Sequence, residues 1–195
     1  MNKLMGFLEL KEMNLPSVSW KRYTGNEKFN PQYLWTIRSA VYRGDDLNLP
    51  RLVGKKAEEA KIFADNLLSK MQDKGMVIYY PYFIAKKSGT LCVGNNKIII
   101  EAVKDDLWNL VTYSDREVTV IIADGKRQIV GNEEFLSEEE LLEIKKYIPE
   151  IKRIFRNDLL EGKDVLLEWS FASTCDQNRR LVDEEKLLFY EVRTI

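Results

Sequence analysis

The chain has 195 residues, enough for one domain or two closely packed lobes, and at this size about 70% of the unfolded surface can be buried. Hydrophobic residues make up 45% and aromatics 11%, a globular composition that excludes a disordered tail protein. Lys plus Arg is 30 against 31 Asp plus Glu, a net charge of -1, so no broad affinity for nucleic acid or an anionic membrane is encoded.

In chain order, Met5–Met13 has helical spacing, with Phe7, Leu8 and Leu10 on its apolar face. Asn14-Leu15-Pro16 ends it, because the residue before proline is pushed out of the helical region. Ser17–Thr24 reads as a short strand and Gly25–Gln32 as a loop. Leu34–Ala40 is a strand rich in bulky and branched residues, followed by a long irregular loop over Tyr42–Gly54. Lys55–Lys74 is the clearest helix, with Ala60, Phe63, Ala64, Leu67, Leu68 and Met71 on one face and Gly75 closing it. Met76–Phe83 is a buried strand. Thr90–Val93, Lys97–Val103, Val118–Ala123 and Arg127–Val130 read as antiparallel strands, with hairpin turns at Gly94-Asn95-Asn96 and Asp124-Gly125. Ser137 with Glu140 is a capping-box start for a helix through about Phe155, kinked or restarted at Pro149. Asp164–Phe171 and Lys186–Thr194 are the last two strands. The fold class is α+β, mostly antiparallel, in one compact domain of two lobes, about 1–80 and 81–195.

Zero histidines exclude Ser-His-Asp and Cys-His catalysis, histidine metal sites and a phosphohistidine carried in this chain. Cys92 and Cys175 alone make no zinc site and read as two reduced thiols in a cytoplasmic protein. The N-terminal stretch lacks a signal-peptide apolar core, and no apolar run approaches the roughly 20 residues that span a membrane. No membrane or nucleic-acid partner is expected.

Glu101, Glu168, Glu191 and Arg193 sit inside strongly apolar strands, where a charge must be paired, solvated in a cleft or bound to a ligand. Alternation puts Glu191 and Arg193 on one face of their strand. One reading is an ordinary strand with a polar face. The other is a cleft in which carboxylates hold a divalent metal and arginine meets phosphate.

The order of segments resembles the nucleotide-binding domain of phosphoenolpyruvate synthase, pyruvate phosphate dikinase and rifampin phosphotransferase, an ATP-grasp fold. WTIRSAVYRGDDLNLP (Trp35–Pro50) is similar to the family segment VRSSATAEDLP, and KSGTL (Lys87–Leu91) to its SGV segment. KIIIEAVKDDLWNLVTYSDREV (Lys97–Val118) follows IEAxxGLGExLVSGxxTPD. DVLLEWSF and LLFYEVRTI resemble the closing DIEWA…LYILQSRPI strands, and ELKEMNLPSV (Glu9–Val18) resembles the N-terminal NLAEMxxxGLPVP stretch.

The resemblance implies binding of ATP with Mg²⁺. Arg38 and Arg193 fall on arginines that approach the phosphates, and Glu101 falls on the glutamate of IEA, bordering the nucleotide. Tyr80, Tyr82 and Phe83 fall on the hinge where adenine lies; plain core aromatics are the other reading. Glu168 falls on the metal-binding glutamate; Glu191 departs from the family, standing where it has glutamine, and is taken as a further carboxylate for metal and nucleotide. The family's Gly-Gly-Lys is missing, leaving Lys3 or Lys11 as substitutes, and its GLGE loop is replaced by Asp105-Asp106-Leu107-Trp108. The implied activity is phosphoryl transfer to a histidine on a partner protein or to a small molecule. A non-catalytic nucleotide sensor or scaffold and an unrelated interaction module stand as alternatives. A nucleic-acid ligase lacks its KxDG lysine motif. The basic residues Lys145, Lys146, Lys152, Arg153 and Arg156 read as a solvated helix face.

Overall fold

The computed structural model describes residues 3–43, 49–107, 110 and 116–195. Two antiparallel sheets organise them. A four-stranded sheet runs in the order β1-β4-β2-β3, from β1 (Lys21–Tyr23), β2 (Trp35–Val41), β3 (Arg51–Lys55) and β4 (Gly75–Pro81). A six-stranded sheet runs β10-β9-β5-β6-β7-β8, from β5 (Phe83–Val93), β6 (Lys97–Lys104), β7 (Val118–Ala123), β8 (Lys126–Gly131), β9 (Val165–Thr174) and β10 (Lys186–Thr194). The chain leaves the small sheet at Pro81 and enters the large one at Phe83, so Tyr82 is the crossing point. The α+β, mostly antiparallel architecture holds.

Helices cover one face of the large sheet and pack on both faces of the small one, where Phe7 meets Ala40, Met76 and Ile78 on the second face. Helix α1 (Lys3–Glu12) opens the chain, and α2 (Ala57–Met71) buries Ala60, Ala64, Leu67 and Met71 against Trp35, Ile37 and Val77 of the small sheet. Three short helices, α3 (Glu138–Lys145), α4 (Ile148–Ile154) and α5 (Arg156–Leu160), cover one face of the large sheet. Leu141, Ile144, Ile151 and Phe155 meet Leu91, Ile100, Leu167 and Trp169 there. The capping box forms as expected: the Ser137 hydroxyl accepts from the Glu140 N–H, and the Glu140 carboxylate accepts from the Ser137 N–H. Pro149 starts α4 because a first-turn position needs no N–H donor.

Several elements differ from the sequence expectation. Leu8 of α1 is exposed while Phe7 and Leu10 are buried, because α1 docks through a narrower stripe than its composition suggested. The first strand shrinks to Lys21–Tyr23. Part of the expected loop over Tyr42–Gly54 is β3, and Gly44–Asn48 lie outside the described residues. Helix α2 stops at Met71, with Gln72 at φ 35° as its cap, donating its N–H to the Leu68 carbonyl. Gly75 is extended, and its missing side chain instead lets β4 run against the Ala40 carbonyl. The strand expected at Thr90–Val93 begins at Phe83, since Lys87 and Ser88 continue the ladder past an irregularity at Lys86. The Asp124-Gly125 turn is a two-residue hairpin with both residues at positive φ. Among the described residues no helix is long and apolar enough to cross a membrane.

Candidate functional site

The face of the small sheet that carries Arg38 and the face of the large sheet turned away from α3–α5 meet at a cleft of about 520 Å³. That size falls within the roughly 300–1,000 Å³ of small-molecule sites. Strand pairing explains which side chains reach it. On β2, Trp35 and Ile37 pack toward α2, so Thr36 and Arg38 project from the opposite face, and Tyr80 lies beside Thr36 in the ladder. On β9, Leu167 and Trp169 fill the core, so Glu168 and Ser170 face the cleft.

Strand β10 needs an irregularity to do the same. Leu187 and Phe189 point into the core, and strict alternation would send Glu191 and Arg193 after them. A β-bulge between Phe189 and Glu191 inserts Tyr190 and reverses the phase. Val192 then fills the core, while Tyr190, Glu191 and Arg193 line the cleft. The expectation that Glu191 and Arg193 share a face holds; only the bulge decides which face.

Four charges form two ion pairs. Arg38 Nη2 lies 3.5 Å from Glu191 Oε2 and joins the small sheet to the large one. Arg193 Nη2 lies 3.6 Å from Glu168 Oε1 within the large sheet. Glu191 and Glu168 are register partners, so the carboxylates sit on neighbouring strands. Burial opposes the charge on Arg38. The Tyr80 oxygen and the carboxylates of Glu191 and Glu168 outweigh it and hold the guanidinium above its ordinary pKa. Beneath Arg38, the Phe7 ring lies 5.2 Å away, so α1 supports it through a cation–π contact. The buried Nε of Arg193 has no hydrogen-bond partner among the described residues.

Aromatic side chains form the wall at the crossing between sheets. Phe83 stacks near-parallel to both Tyr80 and Tyr82 at centroid distances of 6.4 Å, and Tyr190 tilts against it at 5.9 Å. Gly54, at φ 62°, lets β3 lie flat on the Tyr82 ring. Arg179 covers that ring at 5.9 Å. Desolvation, together with the nearby carboxylates of Glu168 and Asp106, pushes the Tyr190 phenol well above its ordinary pKa.

Of the residues singled out from sequence, Arg38, Tyr80, Tyr82, Phe83, Glu168, Glu191 and Arg193 line this one cleft. Glu101 does not. It lies on β6 beside Thr90, and Arg116 holds its carboxylate at 2.7 Å. Lys11 stands over the Trp20 ring at 4.7 Å rather than in the cleft, and the side chain of Lys3 lies outside the described residues. Sequence reasoning missed Ser88, Ser170, Tyr190 and Asp106, which also line the cleft. Ser88 and Ser170 are joined hydroxyl to hydroxyl at 2.8 Å, and Ser88 donates to the Asp105 carbonyl. A serine in an apolar strand carries no sequence signal beyond alternation.

Among the described residues no group of three or more acidic or thiol side chains converges on a metal position. Two neighbouring carboxylates fit a magnesium ion that takes its remaining ligands from phosphate and water, and do not fit a self-contained metal centre. The basic residues along α3–α5 are engaged in place: Lys146 pairs with Glu143 and Arg153 with Glu150, and Lys152 donates to the Asn95 carbonyl.

No family model and no curated protein matches the chain. Among solved structures it is similar to the macrocyclase MdnC of Microcystis aeruginosa MRC, crystallised with its precursor peptide MdnA, at 12% identity and a TM-score of 0.47. The match covers 97% of this chain and 51% of that one, so this chain spans about half of its length.

Proposed function

We propose that the cleft binds ATP with Mg²⁺, as the resemblance to the phosphoenolpyruvate synthase nucleotide-binding domain implies. The observation that supports this most is convergence. Seven residues chosen from sequence, spread from Arg38 to Arg193 over five strands and the crossing residue Tyr82, line one cavity.

The division of labour follows from the chemistry. Tyr80, Tyr82 and Phe83 offer flat apolar surface for a base. Arg38 and Arg193 offer planar donors matched to phosphate oxygens. Glu168 and Glu191 would hold magnesium, which, when bound, neutralises charge on the phosphates. Ser88 and Ser170 supply further hydroxyls at the cleft floor. Because the chain has no histidine, a phosphoryl acceptor would come from a partner protein or a diffusible molecule. Arg38 and Arg193 would then align the transferred group and offset its charge. A second reading, a nucleotide sensor without turnover, draws on the engagement of both carboxylates by arginine.

A thermal-shift titration with ATP, with and without Mg²⁺ and with AMP and GTP as controls, tests binding. Ligand at about 100 times its dissociation constant adds about 2.7 kcal/mol, a shift of a few degrees. No shift at millimolar MgATP contradicts the proposal. Phosphate release measured on the same samples separates transferase from sensor.

A further inference from the structure

We infer that the Arg38–Glu191 pair makes this cleft selective for a metal-chelated polyphosphate over the free anion, with Glu191 as the specificity-determining residue. The inference rests on the nucleotide reading above and adds to it a source of metal dependence within the chain.

The two side chains are nearly buried, at 13% and 5% exposure, and they belong to different sheets. Their contact is long, 3.5 Å, and Glu191 has Glu168 as its neighbour across the strand pair. Glu168 in turn lies 3.6 Å from Arg193. Carboxylates and arginines therefore balance, and the group has no net charge. A bare polyphosphate would compete for arginines that already have partners. It would also meet two carboxylates, one of them desolvated, where like-charge repulsion is strongest.

With a divalent cation present, Glu191 and Glu168 exchange arginine for the cation. Arg38 and Arg193 are released to phosphate oxygens, and every charge keeps a partner. The cation alone finds only two carboxylates set side by side, since Asp106, which also lines the cleft, does not group with them around one metal position. Neither half of the ligand is well served without the other, so metal and polyphosphate bind with positive coupling. Gln in place of Glu191 keeps the shape and removes the charge. Arg38 is then free for phosphate whether or not metal is present.

The test is isothermal titration of ATP in EDTA and in excess Mg²⁺, for the wild type and Glu191→Gln. The wild type should bind on the order of 10–100-fold tighter with Mg²⁺. In Glu191→Gln the metal-free affinity should rise about tenfold and the Mg²⁺ effect should shrink to a few-fold. A Gln variant that keeps the wild-type ratio overturns the inference. Equal wild-type affinity in EDTA and Mg²⁺ also overturns it and leaves nucleotide binding standing. Absence of wild-type binding under both conditions overturns the nucleotide reading and the inference together. Glu191→Ser, read the same way, replaces the Gln variant if its melting curve shows that it does not fold.

Discussion

Phe189 and Glu191 lie two residues apart on one strand and face opposite sides of the sheet, Phe189 fully buried in the core and Glu191 in the cleft. Tyr190, the residue between them, occupies the bulge that makes this possible. The phase change is what allows a strand with an apolar first half to deliver Glu191 and Arg193 to a polar cavity. Deleting Tyr190 takes out the extra residue, so Glu191 follows Phe189 in strict alternation: Glu191 and Arg193 stay in the cleft and Val192 stays in the core. The expected outcome is a protein that still unfolds cooperatively in urea by circular dichroism, about 1–3 kcal/mol less stable for the loss of the Tyr190 ring packed on Phe83. A deletion variant without a cooperative transition would show that the bulge sets more than the phase of the strand.

Gly89 marks a second dependence on fine geometry. A Cβ there would collide with the Glu101 carbonyl and press on the Trp169 ring 2.5 Å away. Neither neighbour yields easily, because the first is β6 backbone and the second is fully buried in the core. Gly89→Ala should cost about 2–4 kcal/mol, read as a lowered denaturant midpoint.

The capping box gives a smaller and cleaner effect. Ser137→Ala removes the acceptor for the Glu140 N–H at an exposed helix start. A loss of about 1 kcal/mol is expected, without change in the slope of the urea transition.

Much of this fold was legible because periodicity reports burial. The face of α2 that carries Ala60, Ala64, Leu67 and Met71, the hairpin at Asp124-Gly125 and the capping box at Ser137 all follow from local chemistry. The cleft was legible in part, because Glu168, Glu191 and Arg193 interrupt apolar strands and so mark a polar surface. What stayed hidden depends on long-range register. The bulge at Tyr190 shows no local turn residue, and β3 is held by its ladder with β2 rather than by its own composition. Glu101 carries the same sequence signal as Glu168, yet it lies on β6, the far side of β5 from Glu168, and outside the cleft. Strand order, not strand composition, separates the two.

Acid stability should carry the mark of Asp183. Burial alone would push its carboxyl up. Lys186, together with the N–H and hydroxyl of Thr174, outweighs burial and holds it below the ordinary range. A carboxyl depressed in the folded state adds stability above its unfolded pKa, near 3.9, that is lost as pH falls through the folded value. The wild type should therefore lose more stability between pH 5 and pH 3, in steps of about one pH unit, than Asp183→Asn does. Parallel pH profiles for the two proteins would contradict this.

Thiol reactivity gives an independent check on the large sheet. Burial, followed by the neighbouring Asp164 carboxylate, pushes the Cys92 thiol up to about 11. At pH 8 its alkylation by iodoacetamide should be about a hundredfold slower than that of an unperturbed cysteine, because the thiolate is the nucleophile. Rapid labelling of Cys92 at pH 8 would contradict its half-buried place beside Asp164.

The central claim is that the cleft between the sheets is a MgATP site, and calorimetric titration of MgATP into wild type and Arg193→Ala tests it most directly. Arg193 is 40% exposed at its side chain and pairs with Glu168 at 3.6 Å, so the variant should keep the fold and its melting temperature within a few degrees. The account predicts one saturable site in the wild type and at least about tenfold weaker binding in Arg193→Ala, the loss of one charge-assisted contact to phosphate. Equal affinity in both proteins, or no binding to the wild type, would contradict it.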